Sequence, residues 1–274
     1  MNVSVRPLEA MAEFHACEAL QRRVWAMPDD LEVVPLHLLV TVQRNGGLLL
    51  GAFDGKELVG FVFGFPAYGR VGKPKHCSHM MGVAPEYQGA GIGYQLKLAQ
   101  REFALAQGLD LVTWTYDPLE SRNAQLNMLK LGAVCRTYIR DYYGPLADGL
   151  NAGLPTDRFQ VDWWIASERV IRRLAGRLGT SASATSHQVN VPERTSGGFL
   201  TPGQVSLDAD ATLLLVEIPA DYQAIKSGDP GLALEWRLAM RQVFEAYFAA
   251  GYTVVDFGHQ AEGDHRSFYV LRAG

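Results

Sequence analysis

Residues Gln88-Gly89-Ala90-Gly91-Ile92-Gly93 stand between an apolar run, Met80-Met81-Gly82-Val83, and a segment of helical periodicity. A glycine-dense turn from strand to helix can present several backbone N–H groups to one point. The first N–H groups of the helix have no partner within it and carry partial positive charge. Gly89, Gly91 and Gly93 have no Cβ, so backbone and ligand can approach closely. The pattern predicts a site for phosphate or pyrophosphate. It lacks the Gly-x-Gly-x-x-Gly spacing of a dinucleotide fingerprint, and Tyr94-Gln95 stands where a Walker loop needs Lys-Ser/Thr.

The elements around this loop follow from periodicity and turn signals. Val3 to Pro7 reads as a strand, Met11 to Val24 and Pro35 to Gln43 as helices. Asp54-Gly55 between apolar runs predicts a hairpin over Leu48 to Phe63. Lys75 to Val83 is the next strand. Ile92, Leu96, Ala99, Phe103 and Ala106 then form one helical stripe, with Lys97, Gln100 and Arg101 off it, stopped at Gly108. Leu111 to Tyr116 is a strand, Ser121 to Leu131 a helix, and Val134 to Tyr143 and Phe159 to Ile165 strands. The Gly/Pro-rich loop from Gly144 to Pro155 separates those two. After a helix from Ser167 to Leu178, residues 179–207 turn polar and read as a linker or long surface loop. A strand–helix–strand–strand tail closes the chain, with Leu234, Leu238, Phe244 and Phe248 expected on the buried side of its helix.

A length of 274 residues fits one large domain or two small ones. Hydrophobic content of 48% and charged content of 20% are those of an ordinary globular enzyme. The net charge of −4 argues against a nucleic-acid partner. No apolar stretch reaches membrane-spanning length, so no membrane partner is expected. Cys17, Cys77 and Cys135 are widely spaced, which gives no zinc pattern and suits a reducing cytoplasm. His76 and His79 fall on opposite faces of a strand, so no metal site is expected.

The loop resembles the acyl-CoA loop of the GNAT acyltransferase superfamily, Gln/Arg-x-x-Gly-x-Gly/Ala after a strand. Gln88, Gly91 and Gly93 match it position by position. The order strand, two helices, three strands, loop, helix, strand, helix, two strands matches over about residues 3 to 165, and the whole chain resembles a bacterial branch of predicted GNAT acetyltransferases. The resemblance implies an α/β fold with a mixed sheet: a GNAT domain over 1–178, the linker over 179–207, and over 208–274 an extension resembling half a GNAT domain. It implies acetyl-CoA or another acyl-CoA as cosubstrate, with its pyrophosphate on the amides of Gln88, Gly89, Ala90, Gly91 and Gly93. The strand carrying Met81 and Val83 would splay from Leu111 to Tyr116 and pair with pantetheine. Gly82 is consistent with a bulge there.

The helix Ser121 to Gly132 matches the family's Lys and Gly at Lys130 and Gly132, but Met128 stands where the usual proton-donating Tyr would be. A thioether cannot donate a proton. Tyr143, with Tyr142 and Tyr116 beside it in the pattern, is the replacement acid expected, and His79 or Asp117, followed by Glu120, the base. Asn123 and Asn127, four apart, would share a face toward pantetheine or acceptor. The acidic segment Asp29-Asp30-Leu31-Glu32 corresponds to an acceptor-lining loop. The activity implied is N-acylation of a small-molecule or peptide amine by a monomer or homodimer; the alternative is a non-catalytic acyl-CoA-binding module.

Overall fold

The computed structural model describes residues 3–27, 32–69, 71–144, 153–177, 186–260 and 266–274. Residues 29–31 of the acidic segment, most of the loop after Gly144, and residues 179–185 of the expected linker lie outside them. The chain divides into two compact units, and the boundary falls inside a strand, between Trp114 and Thr115.

The first unit holds β1 (Val3–Pro7), α1 (Met11–Trp25), α2 (Leu36–Arg44), β2 (Leu48–Asp54), β3 (Glu57–Tyr68), β4 (Pro74–Val83), α3 (Ile92–Ala106) and most of β5 (Leu111–Tyr116). Its strands lie in the order β1-β2-β3-β4-β5. All neighbours are antiparallel except β4 and β5. Gly55, at φ +62°, makes the β2–β3 turn as the Asp-Gly pair predicts. Each sheet face carries helices. Phe14, Cys17 and Leu20 of α1 and Leu39 of α2 pack with Phe61 and Phe63 on one face. Ile92 and Leu96 of α3 pack with Val59 and Val62 on the other.

The second unit holds α4 (Ser121–Ala124), β6 (Val134–Ile139), β7 (Arg158–Trp164), α5 (Glu168–Leu174), β8 (His187–Gln188), β9 (Asn190–Val191), β10 (Gln204–Val205), β11 (Leu213–Ile218), α6 (Tyr222–Gly228), α7 (Pro230–Ala249), β12 (Thr253–Gln260) and β13 (Arg266–Arg272). A π-helical turn, Gln125–Lys130, continues α4. The strand order is β7-β6-β12-β13-β11-β8. The tail therefore shares a sheet with β6 and β7. Its hairpin β12–β13 mirrors β6–β7. The two meet antiparallel at Val254–Cys135, and each shifts register just after that point. Gly132 and Gly251, both at positive φ, precede these matched strands. The strand–helix–strand–strand expectation for the tail holds with one addition, the short helix α6 ahead of α7.

The segment expected as a linker carries β8, β9 and β10 over its described residues. Asn190 explains the order: its side-chain oxygen accepts from Glu217 N (2.8 Å) and its Nδ2 donates to Glu217 O (3.1 Å). The α7 face differs from expectation. Asp229 caps the helix by accepting from Leu232 N, and Pro230 starts it. The buried stripe is Ala233, Trp236, Arg237, Met240, Val243, Phe244 and Tyr247, while Leu234 and Leu238 are exposed. An arginine takes an interior place because its charge is matched there. Arg237 donates to Asp117 with both terminal nitrogens, one contact being 2.8 Å.

Tyr116 and Tyr269 join hydroxyls at 3.0 Å beside this pair, and Tyr269 donates to Pro118 O (2.8 Å). Removing one partner of a buried ion pair leaves the other uncompensated, which costs about 3–5 kcal/mol. Asp117→Ala should lose stability of that order in urea unfolding. The double variant Asp117→Leu/Arg237→Met should recover most of it. Equal losses in the single and double variants would show that the pair is not the source.

Candidate active site

β4 ends at Val83, and a short 3₁₀ turn, Pro85–Tyr87, leads into the glycine loop. Gln88 Nε2 donates to Val83 O (3.2 Å) and ties the turn to the strand end. Gly89 and Gly91 lie at φ +83° and +82°, a left-handed conformation that only glycine adopts without strain. A Cβ on either would meet no atom within 4 Å, so the space over the loop is open. Gly91 caps α3, and Gln95 N donates to Gly91 O (3.1 Å). Helix geometry thus leaves Ile92, Gly93 and Tyr94 N–H without helical acceptors. Residues 88–91 are exposed, so Gln88, Gly89, Ala90, Gly91 and Gly93 form an open anion cradle at a positive helix end.

β4 pairs with β5 only at His76–Val112 and Cys77–Thr113. It then runs on to Val83, and the register with β3 shifts so that His79 is the extra residue between Ser78 and Met80. The bulge lies at His79, not at Gly82. A Cβ on Gly82 would come within 3.0 Å of Phe61 and 3.2 Å of Val24, so this glycine serves the approach of α1. Met81 and Val83, half-buried, lie on the parted stretch.

His79 is exposed at its edge, with its ring against Phe63 (5.8 Å) and Phe65 (6.0 Å). Burial against these rings lowers its pKa below the ordinary value, so the imidazole is neutral at pH 7 and can accept a proton.

The other predicted residues lie in the second unit. Burial pushes the Asp117 carboxyl up, but the charge and hydrogen bonds of Arg237, with Arg158 and Leu119 N–H, outweigh it and hold the pKa below the usual range. A carboxylate clasped in this way is a poor base, which corrects the expectation for Asp117. Glu120 is raised by burial and by Asp117, and accepts from Gln223 Nε2 (2.6 Å). Tyr116 is buried with its hydroxyl committed to Tyr269, so it offers no proton at a surface. Tyr143 and Tyr142 are exposed, and the Tyr143 hydroxyl lies 3.3 Å from Thr115 Oγ1. Asn127 is buried and Asn123 exposed, so they do not present alike: the inward stripe runs through Ser121, Ala124, Asn127 and Met128. Met128 is fully buried and fills core.

Sequence reasoning missed a buried polar network in the first unit. Lys97, 2% exposed, donates to Ser78 Oγ (2.8 Å) and Gln100 Oε1 (3.0 Å) and lies 3.8 Å over the Trp114 ring. Gln100 Nε2 meets His76 Nε2 at 3.1 Å, while His76 Nδ1 has no hydrogen-bond partner among the described residues. A Cβ on Gly64 would fall 2.4 Å from His76 Nε2, so that glycine makes room for the network. Burial lowers Lys97 to about 7, against a small opposing effect of Cys77. Burial and the Lys97 charge lower His76 to about 4. The available signal was the alternation of His76 and Ser78 opposite Lys97 and Gln100, one helical turn apart.

The acetyltransferase (GNAT) family model matches residues 10–133, which include the parted strand and the cradle. That stretch is similar to a GNAT domain over somewhat less than half of the chain. Among solved structures, the ribosomal-protein-S18-alanine N-acetyltransferase from Escherichia coli is similar at 17% identity and a TM-score of 0.46, covering 61% of this chain and 97% of that one. Arabidopsis thaliana Naa50 in complex with the bisubstrate analogue CoA-Ac-MVNAL is similar at 16% and 0.47, covering 59% and 98%. The NatC complex bound to Gag peptide and CoA gives 18% and 0.48, covering 59% and 98%. No curated protein matches. No helix among the described residues is long and apolar enough to cross a membrane.

The buried lysine has a measurable signature. Lys97 loses its proton near pH 7 when folded and near pH 10.4 when unfolded. Between those values the unfolded chain holds more protons, so the contribution of Lys97 to stability rises with pH and is least favourable below pH 7. Lys97→Met should therefore be most stabilised, relative to wild type, near pH 6. The difference should shrink toward pH 10 by on the order of a few kcal/mol. Urea unfolding of both proteins across that range checks it, and a pH-independent difference would refute the buried charge.

Proposed function

We propose that the protein is an acyl-CoA-dependent N-acyltransferase, with acetyl-CoA as the donor and a small-molecule or peptide amine as acceptor. The observation that supports it most directly is the open glycine cradle at the N-terminus of α3, placed at the end of a strand that has parted from its neighbour. The cradle suits the CoA pyrophosphate, and the backbone of Met81 and Val83 suits pantetheine amides. A β4 N–H meeting the thioester oxygen would stabilise the oxyanion, an effect that contributes several kcal/mol in preorganised sites.

The chemistry is direct attack. The amine nitrogen forms a bond to the thioester carbonyl carbon, the C–S bond breaks, and its electron pair leaves on sulfur. His79, neutral and exposed on the parted strand, accepts the proton that the amine must lose. The free thiols Cys17, Cys77 and Cys135 fit a cytoplasmic setting.

Met128 at the usual tyrosine position supports a second reading, a non-catalytic acyl-CoA-binding module. Thiol release from acetyl-CoA over an amine library separates the two.

Two variants test the site. Gly91→Asp adds a side chain at a left-handed position and a negative charge at the cradle, and CoA affinity by calorimetry should fall at least tenfold, ~1.4 kcal/mol. Unchanged affinity would remove the cradle from the site. His79→Gln should leave CoA affinity intact and lower turnover about a hundredfold. In the wild type, turnover should fall only at a pH below the ordinary imidazole range, where the buried ring of His79 gains its proton. A variant that keeps this acid limb would show that His79 is not the base.

A further inference from the structure

The point where β4 leaves β5 is occupied by a cation. Cys77 and Thr113 are the last pair. The next residue on each strand is Ser78 or Trp114, and Lys97 reaches both, with its ammonium on the Ser78 hydroxyl and over the Trp114 ring. Gln100 turns its amide oxygen to Lys97 and its Nε2 to His76 Nε2, which orients the lysine from the far side. Among the described residues no carboxylate pairs with Lys97. The titratable groups that face it are His76 and Cys77 from β4; β5 supplies the Trp114 ring and α3 the Gln100 amide. An ammonium buried without a counter-ion is costly, and burial therefore makes it a readier proton donor. A thioester reaction that lacks the usual tyrosine needs a proton for the departing sulfur, and a thiolate is an anion that would pair with such a cation.

We propose that Lys97, acting through the Ser78 hydroxyl, supplies the proton taken up by the thiol leaving group of the cosubstrate. The inference rests on the acyl-CoA reading above. As the C–S bond breaks, sulfur takes the Ser78 hydroxyl proton and Ser78 Oγ takes one from the Lys97 ammonium. His79 holds the proton lost by the amine and gives it to solvent, and Lys97 regains one from solvent once the thiol has gone. One proton is released and one taken up per turnover. Lys97 is in this scheme a positioning residue and proton reservoir, and Ser78 the group that meets sulfur. A lysine that titrates near neutrality is matched to the task.

The test uses the full wild-type chain with ¹³Cε-labelled lysine, and Lys97→Arg assigns the signal. The Lys97 titration is followed by NMR alone, with CoA and with desulfo-CoA. CoA should raise its apparent pKa by roughly one unit, a tenfold change, as the thiolate pairs with the ammonium. Desulfo-CoA, which keeps the pyrophosphate and lacks sulfur, should not. In turnover with acetyl-CoA, Ser78→Ala and Lys97→Met should lower kcat and abolish the loss of rate above pH 7, with desulfo-CoA affinity within twofold of wild type. If CoA does not bind the wild type, the functional reading fails and takes this inference with it. If CoA binds but both ligands move Lys97 alike, or if the variants keep the wild-type alkaline limb, this inference alone is overturned.

Discussion

β4 and β5 share two backbone pairs and then separate, and the chemistry of the first unit depends on that separation. A parallel pair would normally continue, because each further residue satisfies backbone donors and acceptors. Two features stop it. The extra residue at His79 turns the strand and breaks the alternation of its faces. Lys97 then sits at the fork, held by a hydroxyl from one strand and an indole from the other. The backbone of β4 beyond Ser78 is released from β5, which is what an extended ligand needs in order to add hydrogen bonds of its own. The same strand delivers the chain to the glycine cradle at Gln88 to Gly93.

The second unit shows a different use of buried charge. Asp117, just past the end of β5, is held by Arg237 of α7, and Tyr116 by Tyr269 of β13. Two residues that looked like acid and base candidates are thereby consumed in fixing the chain that follows β5. Asp157 is treated similarly: it accepts from Tyr138 (2.7 Å) and from Arg241 (2.8 and 2.9 Å) and from Asp141 N (2.9 Å). A paired and hydrogen-bonded carboxylate stays ionised and rigid, which suits positioning and not proton transfer.

The strands, the helices of the first unit and the cradle were legible because each is written locally. Asp54-Gly55, the stripe from Ile92 to Ala106, and the spacing of Gly89, Gly91 and Gly93 specify backbone conformation without reference to distant residues. What escaped was set by partners far away in sequence. Lys97 reads as a surface lysine until Ser78 and Trp114 are brought beside it. Arg237 reads as solvent-facing until Asp117, 120 residues away, supplies its counter-charge, and with it the face of α7 rotates away from Leu234 and Leu238. The segment 186–207 reads as linker because Asn190 gives no local sign that it will clasp Glu217. The bulge was placed at Gly82 because glycine tolerates one, whereas an extra residue can be accommodated by any side chain with room, as His79 has.

The antiparallel meeting of β6 and β12 carries a consequence for self-association. β6 is flanked by β7 on one side and by β12, through the pair Val254–Cys135, on the other, so both of its edges are covered within the chain. A second copy cannot extend the sheet there, as it could at an uncovered strand. The open rim on the tail side moves outward to β8, a strand of two residues paired parallel to β11. So short a rim offers few groups for an incoming strand to match. By folding its own tail onto β6, the chain turns what would have been a sticky border into interior, and strand addition by a second copy at β6 is blocked.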